Sequence, residues 1–281
     1  MATGESLISR TNRWSPSQSL NGLFRRGILV ATQNPVVGRG VRRYGMRLGA
    51  GRFVAGERFD DCVPVLRHLN ERGFRTNTTL LGEGVRDAAT ARAVVSAYRD
   101  VLDRIARERL VTNLAVKPTH LGLDLGEELA YQHLAELASH AARHDTFLRI
   151  DMEESARVDP TLRLYRRLRA DGHDNVGAVL QSALYRTEAD LAALLPLDPN
   201  LRLVKGAYLE PASIAYARKA DVDAAYLRLA ERMLSEGRFT GIATHDARII
   251  DQVAEFAARH GLGAERFEFQ MLYGIRPQLQ A

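Results

Sequence analysis

From residue 74 onward the sequence alternates between short apolar runs and longer amphipathic stretches, and this alternation restricts the fold more than any other feature. The runs are rich in Val, Ile, Leu and Phe, and their starts are 26 to 38 residues apart. They cover residues 74–81, 111–117, 146–151, 175–181, 201–205, 239–244 and 266–270. Short runs of this composition predict buried β-strands.

The stretches between the runs have the periodicity of helices. In residues 87–109, and again in residues 246–260, apolar side chains recur at intervals of three and four residues. Strand–helix–strand units at this spacing predict a parallel sheet covered by helices. Seven such runs, and no early GxGxxG turn, favour a (β/α)8 barrel over a doubly wound sheet.

Closure of such a barrel requires an eighth strand, for which the sequence offers no candidate, because it ends at Ala281, eleven residues after the seventh run. We therefore expect an α/β fold, a distorted (β/α)8 TIM-type barrel over residues 71–281, with its eighth strand and helix missing from this chain. Residues 23–70 predict an N-terminal helical segment. Residues 1–22, rich in Ser, Asn, Thr and Gly, predict a flexible leader.

Composition and charge narrow the setting in which the chain works. Hydrophobic residues make up 46% of the chain, yet no apolar run approaches the roughly 20 residues of a membrane span. Cys62 is the only cysteine, which excludes an internal disulfide and is typical of the reducing cytosol. The chain has a net charge of +5. Residues 1–60 alone carry a net charge of +7, so the rest of the chain is slightly acidic.

A basic arm of this kind can contact anionic lipid or nucleic acid. No nucleic-acid motif accompanies it, so we expect no nucleic-acid partner. The expectation is a cytoplasmic protein, with peripheral contact at the inner face of the membrane left open. The sequence does not indicate an oligomeric state.

Lysine is scarce in this chain, with three lysines against 36 arginines. Two of the three stand where a predicted strand enters a loop, Lys117 at the end of VTNLAVK and Lys205 at the end of LRLVK. A compact ammonium differs chemically from a planar guanidinium, because its pKa responds to its surroundings. Lys117 and Lys205 are therefore the first candidates for an active site, whereas Lys219 lies in a polar helical stretch and attracts no functional interpretation.

Reactive groups of β/α barrels gather where the strands run into the following loops. The predicted strand ends carry two lysines, a carboxylate, two amides, a threonine and a histidine, which is more functional chemistry than ordinary loops contain. The set is Lys117, Asp151 with Met152 and Glu153, Gln181, Lys205 to Tyr208, Thr244 with His245, and Gln270.

Arg202 strengthens this prediction, because it stands inside the apolar run LRLVK. A guanidinium on a buried strand is costly unless a carboxylate, a phosphate or a ligand pairs with it. A metal site is not predicted, because no pair of histidines or carboxylates has ligand spacing such as HExxH.

Six motifs taken in order are similar to those of the proline dehydrogenases of the short, single-function bacterial type. They are VKPTHLGLDL (116–125), LRIDMEES (148–155), VLQSALYRT (179–187), LRLVKGAY (201–208), IATHD (242–246) and FEFQMLYGIRP (267–277). The resemblance extends from about Arg52 to Pro277. It implies a distorted (β/α)8 barrel that holds FAD, oxidises L-proline to Δ1-pyrroline-5-carboxylate and passes electrons to a membrane quinone.

The resemblance also implies roles for individual residues. Asp151 and Arg202 would be catalytic, with Arg202 beside the hydride-accepting N5 of the flavin. Lys117 and Asp151 would face proline as a coupled charge pair, with Tyr208 and Leu272 walling the proline ring. The remaining FAD contacts would be Met152, Gln181, Lys205, Gly206, Ala207, Thr244 and His245.

Two departures from the family pattern keep alternatives open. Thr79 stands where relatives often carry aspartate. The family's last helix carries a Tyr-x-x-Arg-Arg-x-x-Glu motif that binds the substrate carboxylate, and nothing in this sequence matches it. We expect a C-terminal truncation, the alternatives being completion by a partner chain or a flavin protein without proline turnover. Another flavin barrel, similar to methylenetetrahydrofolate reductase, is the alternative enzyme class.

Overall fold

The computed structural model describes residues 54–280 and confirms the seven predicted strands, each within about three residues of its predicted bounds. The strands form one parallel sheet in which every strand pairs with its neighbours in the chain, in the order β1 to β7. They are β1 (Thr76–Thr78), β2 (Thr112–Val116), β3 (Leu148–Ile150), β4 (Val176–Gln181), β5 (Asn200–Val204), β6 (Phe239–Ala243) and β7 (Phe267–Gln270).

Helices connect the strands, as the periodicity predicted. The stretch 87–109 contains a helix over Ala88–Arg107, which begins where the Asp87 carboxylate accepts the Thr90 N–H. The stretch 246–260 contains a helix over Ala247–Arg259. The described helices are α1 (Phe59–Glu71), α2 (Ala88–Arg107), α3 (Glu127–Ala142), α4 (Val158–Ala170), α5 (Thr187–Leu194), α6 (Lys219–Glu236), α7 (Ala247–Arg259) and the single turn α8 (Pro277–Gln280).

The strand order is that of a β/α barrel in which β1 and β7 have one paired neighbour each. Over residues 54–280, β1 pairs only with β2 and β7 pairs only with β6. This agrees with the expectation of a TIM-type barrel without an eighth strand. The predicted leader 1–22, and the predicted helical segment 23–70 as far as residue 53, lie outside the described residues.

The apolar core lies between the sheet and the helices that cover it. All six residues of β4 are buried, and the outer helices contribute the large, fully buried rings of Tyr98, Tyr165 and Tyr226. The Tyr226 hydroxyl of α6 donates a hydrogen bond to the Leu203 carbonyl oxygen of β5 at 2.9 Å. No helix within residues 54–280 is long and apolar enough to cross a membrane.

Candidate active site

Parallel strands all end on one side of the sheet, and polar residues meet there. We call this side the carboxyl edge, defined by the last residues of the strands and the residues directly after them. Lys117 follows β2 and Asp151 follows β3, and the Asp151 N–H donates to the Val116 carbonyl oxygen at 2.9 Å. This extension of the strand pairing puts the backbones of Lys117 and Asp151 side by side.

Arg202, in the middle of β5, bonds to functional groups that follow or end two other strands. Its Nη1 lies 2.9 Å from Oδ1 of Asp151, and both side chains are mostly buried. Its Nε donates to Oε1 of Gln270 at 2.6 Å, and the Gln270 amide in turn donates to Glu268 at 2.6 Å. The buried guanidinium therefore has the carboxylate partner that its position on an apolar strand requires.

Burial and charge act in opposite directions on this ion pair. Burial raises the pKa of Asp151, while the cations of Arg202, Arg149 and Lys117 oppose the rise. Burial likewise lowers the pKa of Arg202, against the effect of Asp151 and Glu268. The protonation of Asp151 therefore depends on the cations around it.

Lys117 pairs with Glu83, a residue that the sequence did not single out. Its Nζ lies 2.6 Å from Glu83, in the segment after β1, whereas Asp151 pairs with Arg202. Lys117 and Asp151 thus interact through space and do not form a direct ion pair. Thr79, the departure from the family pattern in the same segment, lies 3.4 Å from the Tyr98 hydroxyl.

A glycine makes the contact between β5 and β7 possible. Gly241 of β6 is the register partner of both Arg202 and Glu268. A Cβ at Gly241 would lie 2.8 Å from the Gln270 side-chain nitrogen. The missing side chain leaves the space in which Arg202 and Gln270 join across β6.

The third lysine, Lys219, shares two carboxylate partners with Lys205. Lys205 Nζ lies 2.6 Å from Asp223 and 3.2 Å from Asp246. Lys219, at the start of α6, contacts the same two carboxylates, with 3.0 Å to Asp246. Burial would raise the pKa of Asp246, but the two ammonium groups prevail and lower it to about 2.

Next to Gln181 at the end of β4, the backbone of Gly206 after β5 approaches closely, and Glu153 after β3 has a buried carboxyl group. Gly206 has φ of +108°, and a Cβ there would lie 3.1 Å from Gln181 Oε1 and 3.2 Å from Ala183 Cβ. Gln181 Nε2 donates to the Glu153 carbonyl oxygen at 2.6 Å. Burial raises the pKa of the Glu153 carboxyl group to about 7, although Thr119 donates a hydrogen bond to it at 2.8 Å.

The other predicted residues of β3 and β5 also lie at the carboxyl edge. Met152 is buried, Ala207 is exposed, and Tyr208 is half-buried. Burial raises the pKa of the Tyr208 hydroxyl, followed by the negative charge of Glu83. This edge therefore offers apolar and aromatic surface next to its charged groups.

Thr244 and His245 after β6 serve the local backbone. The Thr244 hydroxyl accepts the Asp246 N–H at 3.1 Å, at the start of α7. His245 Nε2 accepts the Leu272 N–H at 2.9 Å, and its carbonyl oxygen accepts from Arg276 at 2.6 Å. Burial, followed by the charge of Arg276, lowers the pKa of His245, so it is the neutral ring that accepts this bond. The Leu272 side chain itself is 65% exposed.

One cluster in the described part of the chain has the ligand types of a metal site but lies on the helical layer. Asp103 Oδ1 is 2.6 Å from His140 Nε2 and 3.0 Å from His144 Nε2. Arg143 donates to the other nitrogen of His140 at 2.5 Å. Since arginine only donates, the His140 proton lies on Nε2, directed at Asp103. We therefore interpret this cluster as a hydrogen-bond network between α2 and α3.

The site as a whole is of the enzyme type that β/α barrels build at the carboxyl ends of their strands. A sequence model of the family described as "Proline dehydrogenase" matches residues 62–281. Proline dehydrogenase 1 of Bacillus subtilis subsp. natto is 38% identical over 92% of this chain and 85% of its own length. Proline dehydrogenase of Deinococcus radiodurans is 39% identical over 93% of this chain and 85% of its own length. The chain belongs to the proline dehydrogenase family.

Solved structures agree with this fold. Proline utilization A from Bdellovibrio bacteriovorus, inactivated by N-propargylglycine, superposes with a TM-score of 0.76 at 22% identity. A D779W mutant of proline utilization A from Bradyrhizobium japonicum gives 0.67 at 29% identity. Each superposition covers 85% of this chain, which spans 30% and 28% of those two longer chains. The family match confirms the resemblance read from the six motifs.

Proposed function

We propose that this chain oxidises L-proline to Δ1-pyrroline-5-carboxylate with FAD as cofactor. The observation that carries the proposal is the buried contact between Asp151 and Arg202 at the carboxyl edge, with Lys117 beside it. Proline loses a hydride from carbon 5 and a proton from its ring nitrogen. Groups that bind a zwitterion and exchange protons are the ones this chemistry requires.

The residues at this edge fit an anionic, planar cofactor. The ammonium of Lys205 and the guanidinium of Arg202 suit phosphate and carbonyl oxygens. Gly206 has no side chain where a Cβ would already touch Gln181, which permits close approach to the backbone. FAD would supply the two-electron acceptor. We propose that Met152, Gln181, Arg202, Lys205, Gly206, Ala207, Thr244 and His245 hold it.

The chain's own groups would prepare proline for oxidation. Lys117 would attract the substrate carboxylate, and Tyr208 and Leu272 would exclude water from the ring. Asp151 would accept the proton that leaves the ring nitrogen, and Arg202 would keep the Asp151 carboxylate aligned and ionised before that transfer. The hydride from carbon 5 would be taken up by FAD and the ring-nitrogen proton by Asp151, which leaves Δ1-pyrroline-5-carboxylate as the organic product.

The acceptor of the electrons is part of the same proposal. We propose a membrane quinone, approached through peripheral contact of the basic residues 1–60 with anionic lipid. The test measures the rate of proline oxidation with a soluble quinone. A higher rate with vesicles of anionic lipid than with neutral vesicles would support the membrane contact. Equal rates with both kinds of vesicle would contradict the membrane contact.

Anaerobic reduction tests the proposed oxidation. The chain is incubated with FAD, freed of unbound cofactor and mixed with L-proline without oxygen. We expect the yellow protein to lose its visible absorption band as the bound flavin is reduced. A protein that does not retain FAD contradicts the proposal. So does one whose flavin is reduced by NAD(P)H but not by proline, because that is the behaviour of a reductase similar to methylenetetrahydrofolate reductase.

Replacement of Lys117 by Met separates substrate binding from cofactor binding. Within residues 54–280, the ion pair that Lys117→Met removes is with Glu83, which is not a proposed cofactor residue. We expect proline to reduce the flavin at about a tenth of the original rate or lower, with an unchanged ratio of FAD to protein. Stopped-flow absorbance measures the rate. The control is Arg99→Met, which removes an exposed cation paired with Glu136 on the helical layer and should leave the rate unchanged.

A further inference from the structure

A second arginine is buried beneath the Arg202 contact, and its partners are neutral. Arg149, in the middle of β3, is 3% exposed. Its Nη1 donates to the carbonyl oxygens of Ala178 at 3.1 Å and Asn200 at 2.9 Å. Its Nη2 donates to the Asn200 side-chain oxygen at 2.6 Å. Among the described residues no carboxylate forms an ion pair with it, so these bonds compensate for the burial of its charge.

The two bonds to Asn200 connect strands that are not neighbours. Arg149 belongs to β3 and Asn200 begins β5, while β4 lies between them. The residue of β4 opposite Arg149 is Gly177. A Cβ at Gly177 would lie 2.5 Å from Arg149 Nη1 and 2.4 Å from the Asn200 carbonyl oxygen. The guanidinium thus crosses β4 only because residue 177 has no side chain.

The same two strands carry the ion pair of the proposed active site. Asp151 lies two residues beyond Arg149, and Arg202 lies two residues beyond Asn200. Strands β3 and β5 are therefore linked twice, by Arg149 to Asn200 and then by Asp151 to Arg202 at 2.9 Å. Consecutive layers of this kind, contributed by alternate strands, fill the interior of β/α barrels.

We infer that Arg149 is a positioning residue, which holds β3 and β5 at the separation that keeps Asp151 and Arg202 aligned. It does not contact the substrate. Burial lowers the pKa of Arg149 to about 9, so the guanidinium keeps its charge at neutral pH and adds a cation near Asp151. The tether is primarily geometric, because two directed hydrogen bonds from Arg149 to Asn200 define the distance between β3 and β5, and a third holds Arg149 to Ala178 of β4.

Substitutions at Arg149 separate the tether from the charge. Arg149→Met removes both, while Arg149→Lys keeps a cation but loses the planar fork of donors. The control is Arg169→Met on α4, which removes another largely buried arginine that bonds to the Leu197 carbonyl oxygen and to Asp174, away from the carboxyl edge. All variants are compared well below their melting temperatures.

We expect kcat for proline oxidation to fall about tenfold to a hundredfold in both Arg149 variants, with KM nearly unchanged, because misalignment affects the reacting geometry. Arg149→Met alone should also shift the acid limb of the pH–rate profile upward, because it removes a cation near Asp151. The Arg169→Met control should change neither quantity. A fall in kcat no larger than in this control would overturn the inference.

The rate measurement rests on the proposed oxidation of proline, so a second measurement stands apart from it. Hydrogen exchange of the β5 amides reports strand pairing whether or not the protein turns over proline. We expect residues 201–204 to exchange about tenfold faster in Arg149→Met than in the unsubstituted protein, and Arg169→Met to leave them unchanged. If the unsubstituted protein does not turn over proline, the proposed function fails. Faster β5 exchange in Arg149→Met would still support the tether in that case. Identical β5 exchange in both variants would refute the tether.

Discussion

Glu153 is a carboxyl group whose surroundings make it titrate near neutral pH. It is 1% exposed, and burial raises its pKa to about 7, while Thr119 donates to the same oxygen through its hydroxyl and its N–H. Burial favours the protonated form and these donors favour the ionised form. Glu153 lies two residues after Asp151, so its ionisation changes the charge next to the proposed proline site.

A Glu153→Gln variant tests this titration through stability. Between pH 4.5 and about 7 the folded protein binds the proton that the unfolded chain has released, so this group lowers stability as pH rises. We expect the substitution to reduce the loss of unfolding free energy between pH 5 and 7.5 by about 2 kcal/mol. Urea denaturation at several pH values measures it. The control is Glu154→Gln, an exposed neighbour paired with Arg157, and equal slopes in both variants would refute the assignment.

At this scale the sequence located the charged residues better than their partners. Lys117, Asp151, Lys205 and Gln270 were predicted at the carboxyl edge because a strand end is a local signal in the chain. That Lys117 contacts Glu83, or that Lys219 shares carboxylates with Lys205, depends on loops and helices from distant parts of the sequence. Side-chain pairs between distant parts of the chain produce no periodic pattern in the sequence, so a single sequence does not predict them.

At the scale of elements, helix α6 is attached to the sheet by a buried hydroxyl group. Tyr226 donates to the Leu203 carbonyl oxygen, next to Arg202 on β5. We expect Tyr226→Phe to lower the free energy of unfolding by about 1 kcal/mol, because it removes one buried hydrogen bond and keeps the ring. Chemical denaturation measures the change. The control is Tyr131→Phe, whose hydroxyl bonds to Asp171 at the surface, and a loss as large in this control would contradict the assignment.

The elements themselves were the most predictable part of the molecule. All seven strands and both helices read from periodicity are present, because each needs only its own run of apolar residues. Their ends were less accurate: the strand predicted over 74–81 is limited to Thr76–Thr78. The residues after Thr78 lead into the loop that carries Glu83. Glu83 pairs with Lys117, and a local apolar run does not reveal such a tertiary contact.

At the scale of the whole molecule, the sheet is most deeply packed at its centre. All six residues of β4 are buried, whereas β7 has none that is fully buried. We expect amide hydrogen exchange to be slowest in β4 and about tenfold or more faster in β1 and β7, since each of these pairs along one side only within residues 54–280. Peptide-resolved exchange followed by mass spectrometry measures the gradient, and uniform protection across the sheet would contradict it.

The order of strands around the barrel followed from the βαβ rule, and the family from six ordered motifs. Within residues 54–280 the sheet has seven strands, the number that the apolar runs predicted. What the sequence did not predict is how the interior of the barrel is connected. That depends on which side chains meet across an intervening strand, and therefore on residues that contribute no chemistry of their own.

Gly177 and Gly241 are those residues, and they restrict the substitutions that this protein can accept in evolution. Each leaves a passage through an even-numbered strand, one for Arg149 and one for the contact between Arg202 and Gln270. A survey of every single substitution should therefore find Gly177 among the least tolerant positions, since a Cβ there would lie 2.4 Å from the Asn200 carbonyl oxygen, while Gly241→Ala should displace the Gln270 side chain from Arg202. Variation at the reacting residues is limited by chemistry. Variation at these two glycines is limited by the need to keep a place empty.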